Sequence, residues 1–462
     1  MDKKSAGLLA EFQAGTCMFA GQLLGCHRLT GRNRRGYVFR LWAPEAQAAW
    51  VTGAFTGGTP AAMSPVGGGV WELFSPLPEE GMAYQFRLQL PGETPVAVAD
   101  PCASLAGPEN TALVYTGQQP FAWTDSRWMR EFPQREHLTA PMHICGIDYR
   151  PDIQPAWLRD MGYTHVELGG LITPETPFAL PAALGPPEAL KALVNGLHRA
   201  GLAVLARWPA SLCLGLPRPA GSARPQEKSL LLSCAAYWLE AYHLDGLRVE
   251  TPENPGRPVR DVLLAVNRAA DRVRPNAVLI SGGTPGVSPP GDFLLRWRPD
   301  WATDGAGWLG RDLLPAPETG DSPRDRALLA LMMALPGKKY TPCQDSAFVR
   351  SLNQFYLSRC QLWQNETEGY IPVLAQGDVL AFRRLDRRAR ELLVICNFGR
   401  REKENFSLPV PRRGIYRPAF HTGAMPHPAE GRKSGGGFAA EFCLPPESVT
   451  FYLRSNLPRQ KE

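Results

Sequence analysis

Between residues 37 and 88 the chain alternates short apolar-rich runs with glycine and proline turns. Residues 37–42, 48–52, 70–74 and 84–88 each have the length and the β-branched or aromatic content of strands. Four such runs at close spacing predict a small β-sandwich over 31–110. A helical lead-in, 1–30, precedes it, with an apolar helix pattern at residues 8–12 that ends near Gly15. Further on the pattern changes. Helical periodicity over 157–162, 187–200, 229–242 and 259–273 is followed each time by a short apolar run, at 164–168, 203–206, 246–249 and 277–280. Helix then buried strand, repeated, predicts a parallel α/β sheet closed into a barrel. From residue 351 a helix to 364 leads back to strands at 379–382, 391–396 and 449–452, with turns at Pro409, Pro411, Pro445 and Pro446. The expected fold class is α/β: a shortened (β/α)8 TIM-type barrel over 111–345, flanked by the N-terminal β-sandwich and by a helix plus C-terminal all-β domain over 346–462. The span from Met142 to Tyr340 is short against the roughly 250 residues of such a barrel, which leaves open whether all eight strands are kept.

Composition narrows the classes. At 462 residues the chain exceeds one ordinary domain. Its formal charge of +6 is small for this length and its basic residues are scattered, so no nucleic-acid partner is expected. The ten cysteines form no CxxC or Cys/His cluster, so neither a metal site nor a cofactor is expected. No apolar run approaches the ~18 residues that cross a bilayer, so no membrane partner is expected. Met1-Asp2-Lys3-Lys4 opens no apolar signal core, and free thiols fit a cytoplasmic location.

Particular motifs go further. Residues 12–27, Phe39-Arg40-Leu41-Trp42-Ala43-Pro44, Ala99-Asp100-Pro101, Gly162-Tyr163-Thr164-His165-Val166-Glu167-Leu168, His243-Leu244-Asp245-Gly246-Leu247-Arg248-Val249, Pro336-Gly337-Lys338-Lys339 and Val394-Ile395-Cys396-Asn397-Phe398 follow in order. Together with Ala140-Pro141-Met142-His143-Ile144, read as the first barrel strand, and Tyr237-Trp238-Leu239-Glu240, they resemble the 1,4-α-glucan (glycogen) branching enzymes of the α-amylase superfamily. The resemblance runs from about residue 12 to 455. It implies that the sandwich over 31–110 resembles a carbohydrate-binding module, and that the barrel is a retaining glycosyl transferase acting on α-glucan in glycogen metabolism.

Retaining transfer needs two carboxyl groups about 5–5.5 Å apart, one as nucleophile and one as acid and then base. The resemblance puts the nucleophile, an aspartate in the family, at Glu250, and keeps the arginine that orients it, Arg248. It puts the acid/base glutamate at Gly282 within Ser281-Gly282-Gly283-Thr284, where no side chain can deliver a proton. The third family carboxylate has no counterpart between Trp308 and Pro336, and the Asp and His that line the sugar site fall at Arg207 and Leu212. The loops after Leu168, Ala206, Glu250 and Ile280 read as short and rich in glycine and proline, as in residues 214–219 and 252–256. The sandwich turn Gly53-Ala54-Phe55-Thr56-Gly57-Gly58 lacks the family's glucan-contacting tryptophan.

Sugar rings stack on flat aromatic faces, and Trp208, Trp297, Trp301 and Trp308 near predicted strand ends are the candidates for residual glucan contact. Trp42, Trp50, Trp71, Trp123 and Trp128 read as core or interface residues. Three functions stay open at this point. One is a catalytically inactive homologue (a pseudoenzyme) that binds glucan or glycogen, or regulates, beside other glycogen-metabolism enzymes. Another is an active branching enzyme using Glu250 with a displaced acid such as Asp300, Asp304 or Asp345. The last is a protein-interaction module.

Overall fold

The computed structural model describes residues 3–31, 34–117, 120–209, 224–250, 257–282, 294–298, 301, 312–317, 320–364 and 368–456. Two compact units result: Met1–Gln134 with Ile147–Ala156 and Val166–Leu294, and Arg135–Gly146 with Trp157–His165 and Leu295–Glu462.

In the first unit, helix Lys3–Gln13 leads into two antiparallel sheets. Strand Ala83–Gln89 shows why they pack face to face: Tyr84, Phe86 and Leu88 alternate with exposed or half-exposed neighbours and point into one core with Phe39, Leu41, Val51 and Val98. Strand Leu180–Pro181, far along the chain, pairs with Leu105–Ala106 at the sheet's edge.

Eight parallel strands close the barrel: β1 His143–Asp148, β2 His165–Gly169, β3 Ala203–Pro209, β4 Gly246–Glu250, β5 Val278–Gly282, β6 Leu295–Trp297, β7 Asp312–Pro315 and β8 Lys338–Pro342. That answers the count left open by the short span. β6 and β7 are only three and four residues long. Among the described residues no helix stands between β5 and β6 or between β6 and β7. Helices α1 Pro155–Asp160, α2 Pro187–Arg199, α3 Pro225–Ala241, α4 Arg257–Val273, α5 Pro323–Ala334 and α6 Ala347–Ser358 follow the other strands. The tight β4–β5 approach requires glycine at 246, because a Cβ there would stand 2.0 Å from the Val278 carbonyl oxygen.

β1 begins three residues later than the apolar run at 140–144 suggests, because the ladder to β8 starts at His143 and Lys339. Helix α6 begins before residue 351, because the Ser346 hydroxyl accepts from Val349 N and caps it. It ends at Ser358, and a 3-10 turn, Cys360–Leu362, takes up part of the expected helix. The second unit finishes in an eight-stranded all-β domain around Ala381, Leu393, Ile395, Tyr416 and Tyr452. Among the described residues no helix is long and apolar enough to cross a membrane.

At the N-terminal ends of β3 and β4 a buried polar network ties the first unit together. The Asp245 carboxylate accepts from Trp128 Nε1 at 3.0 Å, from Val204 N at 2.9 Å, from His198 Nε2 at 3.0 Å and from Arg274. His198 Nδ1 faces Asp125 Oδ2 at 2.8 Å, and His243 Nδ1 reaches the same oxygen at 2.9 Å while stacking on Trp123. With both ring nitrogens on carboxylate oxygens, only the imidazolium donates twice. Burial pulls the His198 pKa down, but Asp245 and Asp125 outweigh it and leave it raised. The same contacts hold the carboxyls of Asp245 and Asp125 low against their own burial.

Removing one partner strands the others without counter-charge, so Asp245→Ala is expected to cost about 3–5 kcal/mol in urea unfolding. The pH dependence has a definite sign. The His198 contribution is complete below the unfolded value of 6.5 and is lost as pH rises through the higher folded value. The aspartates contribute above 3.8 and lose their share only as pH falls through their depressed values. The stability difference between wild type and His198→Gln should therefore be greatest near about pH 5–6 and shrink above it.

Candidate active site at the strand ends

β4 buries four residues and exposes its last, Glu250. Alternation along the strand puts Arg248 and Glu250 on the same side. The register sets Arg207 of β3 beside Arg248, and Gly282 of β5 beside Glu250. Glu167 of β2, fully buried, organises this group. It accepts from Arg248 Nε at 2.7 Å and Nη2 at 3.1 Å, a two-pronged grip, and from Arg207 Nε at 3.3 Å. Arg248 Nη2 reaches Glu250 Oε1 only at 3.9 Å, and the Glu250 side chain is 51% exposed. Arg248 is thus fixed by Glu167 and holds Glu250 loosely.

Gly282 leaves a space that the same groups surround. A Cβ there would lie 3.4 Å from Arg248 Nη1 and 3.5 Å from Glu250 Cα, so any side chain at this position would face the guanidinium and Glu250 together. Asp148, at the end of β1, also points to the rim: its Oδ1 lies 2.3 Å from where a Gly169 Cβ would stand, and Arg207 Nη2 lies 3.5 Å from that point. Asp148 and Glu250 are three strand spacings apart around the wall, roughly 14 Å. Periodicity did not single out Glu167 or Asp148. The signal for Glu167 was a charged residue inside an otherwise apolar strand, and for Asp148 an acid at a strand's C-terminal end.

The tryptophan candidates separate. Trp208 is 1% exposed, and its Nε1 donates to Cys234 Sγ at 3.1 Å under helix α3. Trp301 is 3% exposed, with Nε1 on the Pro315 carbonyl at 2.8 Å. Neither offers a ring face to a sugar, which corrects both assignments: each ring is packed inward and its one donor is already used. Trp297 on β6 is half-buried, edge-on to Tyr340 at 4.8 Å. Asp345 follows β8 beside a cavity lined also by Asp321, Asp325 and Arg326. Leu212, Asp300, Asp304 and Trp308, with residues 214–219, 252–256, Gly283 and Thr284, lie outside the described residues. In the sandwich, Phe55 of the turn over residues 53–58 stacks on Phe39 at 5.6 Å and packs against the core.

A barrel with its carboxylates at the C-terminal strand ends, between a β-sandwich and an all-β domain, is the architecture of the α-amylase superfamily. Residues 23–103 match carbohydrate-binding module 48 (isoamylase N-terminal domain), and residues 374–455 match the α-amylase C-terminal all-β domain. The chain is a homologue of bacterial 1,4-α-glucan branching enzymes. It is 28% identical to the 1,4-α-glucan branching enzyme GlgB of Bordetella pertussis over 602 residues, covering 96% of this chain and 81% of the relative. It is 34% identical to GlgB 2 of Streptomyces coelicolor over 283 residues, covering 50% of this chain and 38% of the relative. An aligned span of 602 residues against a chain of 462 means that well over a hundred of the relative's positions are missing inside it. In fold, the pullulanase type I of Bacillus subtilis str. 168, solved with maltose, superposes with a TM-score of 0.65 at 15% identity, over 94% of this chain and 85% of that one. The GBS pullulanase SAP, solved with maltotetraose, gives 0.66 at 11%, over 94% and 88%.

Trp208→Ala should behave as a core truncation, costing about 3–5 kcal/mol in urea unfolding. A loss below about 1 kcal/mol would mean that the ring is not packed as described.

Proposed function

We infer that this branching-enzyme homologue does not transfer glucan chains and serves glycogen metabolism as an α-glucan-binding, regulatory protein. The register that sets Gly282 beside Glu250 is the observation that carries this reading. If Glu250 occupies the nucleophile position, the neighbour that should protonate the leaving oxygen has no side chain. General acid catalysis contributes about 10²–10⁴-fold. The loose placement of Glu250, whose extra methylene displaces the carboxylate, costs on the order of 10²-fold more. Arg207 adds to the argument: a guanidinium paired to Glu167 stands where the family keeps an acid that lines the sugar site.

Glucan binding is supported by the module-48 match and by related folds solved with maltose and maltotetraose. With Trp208 and Trp301 buried, Trp297 is the described barrel candidate whose ring is half-buried rather than enclosed, and Trp50 of the sandwich, read from sequence as core or interface, is half-buried too, so both are taken as rings for stacking.

Two measurements test the reading. Amylose incubated with the protein should keep its iodine colour, identically for wild type, Glu250→Gln and Asp148→Asn. Colour lost with wild type and retained with Glu250→Gln would establish a working enzyme. Calorimetric titration with maltoheptaose should give binding heat that falls in Trp297→Ala or Trp50→Ala. No heat at millimolar sugar would remove the glucan-binding half of the proposal.

A further inference from the structure

Fourteen of the fifty Lys and Arg residues and eight of the forty-four Asp and Glu lie between residues 374 and 455, so this stretch carries the entire +6 and the rest of the chain is neutral. Twelve of the fourteen are arginine. In sequence they are scattered, but strand pairing gathers many of them at one end of the domain. The turn over residues 386–390 joins strands Val379–Leu385 and Glu391–Asn397. Strand Ser448–Ser455 runs antiparallel to the latter, with Leu393 opposite Tyr452, so its end at Arg454 comes beside that turn. Strand Gly414–His421 sets Tyr416 opposite Arg454, bringing the turn at 411–413 to the same place. Arg454 Nη1 donates to the Arg413 carbonyl at 3.1 Å.

One carboxylate marks the middle of this end. Glu391 accepts from Arg383 Nη1 at 3.4 Å, is faced also by Arg454 and Arg412, and has a buried Oε1 with no hydrogen-bond partner. Asp386 is already engaged by Arg390 and by the backbone of its own turn. Arg387, Arg388, Arg412 and Arg413 are exposed. The positive charge therefore exceeds what the local acids neutralise.

We propose that this arginine-rich end of the C-terminal domain is a docking surface for an acidic segment of a partner protein, a run of Asp and Glu side chains. Guanidinium groups match carboxylates in pairs of parallel hydrogen bonds, which ammonium groups cannot do, and the cations of the two turns, Arg387, Arg388, Arg390, Arg412 and Arg413, are all arginine, as most cations of the chain are. A single-stranded nucleic acid would need exposed rings for its bases. The aromatics of this end turn inward instead: Tyr416 and Tyr452 are buried, Tyr370 packs on Phe382 at 5.0 Å, and Phe438 packs against the core. The surface is independent of the glucan-binding reading, since it needs no residue of the barrel.

The test uses the full chain and a fluorescently labelled decaglutamate peptide, read by anisotropy. Binding is expected at low salt, weakening as ionic strength rises, and absent for a neutral peptide of equal length. Arg387→Glu with Arg388→Glu and Arg413→Glu should weaken it by about tenfold or more, while Arg400→Glu with Arg401→Glu, on a turn at the opposite end, should change it less than about twofold. The milder pair Arg412→Gln with Arg413→Gln gives an intermediate loss, and covers the case in which the triple variant fails to fold. No binding, equal loss from both ends, or tighter binding of a labelled ten-nucleotide single strand would each overturn the proposal. Maltoheptaose binding should be unchanged in the triple variant, so a failure of either proposal is distinguishable from failure of the other.

Discussion

The Asp245 carboxylate is the constraint on which the first unit depends. It takes hydrogen bonds from the indole of Trp128, the backbone of Val204, the imidazole of His198 and the guanidinium of Arg274, from three stretches far apart in the chain. A buried carboxylate is costly unless its lone pairs are occupied, and here several donors converge on it. The arrangement fixes where helix α2 ends, where β3 begins and how β4 enters the barrel. This face serves stability in barrels of the type, whereas the opposite face is built for chemistry. A chain under selection to fold keeps such a network whatever becomes of the other face.

The C-terminal strand ends show the complementary case. Glu167, Arg207 and Arg248 form a compact charged group whose members satisfy one another, so the strand ends hold their positions without a substrate. The carboxyl chemistry that retaining transfer demands is a separate matter from this support. Glycine at 282 keeps the strand pairing, since it holds its register opposite Glu250. Chemistry at this position can therefore be lost while the barrel remains closed.

The C-terminal domain adds a third element, a polarised charge distribution over an ordinary β core. Its strands bury alternating residues regardless of what their turns carry, so the turns are free to concentrate arginine at one end. A domain that needs neither the sandwich nor the barrel rim to form this surface can associate independently of sugar.

Much of the architecture was legible from side-chain pattern alone. The period-two strands of the sandwich, the helix–strand repeats of the barrel and the returning strands of the last domain all declare themselves, because each element must bury one face and that need is written locally. The interest of Glu250, Arg248 and Gly282 came instead from the resemblance to branching enzymes, not from pattern. What pattern could not decide was parity, register and gathering. Arg207 and Trp208 are neighbours in sequence, yet one joins the charged group on Glu167 and the other is sealed under helix α3, because adjacent strand residues point to opposite faces. Local sequence carries no record of which strand lies alongside, so the pairing of Glu250 with Gly282, the convergence of donors on Asp245 and the assembly of scattered arginines at one end exist only once distant segments are brought together.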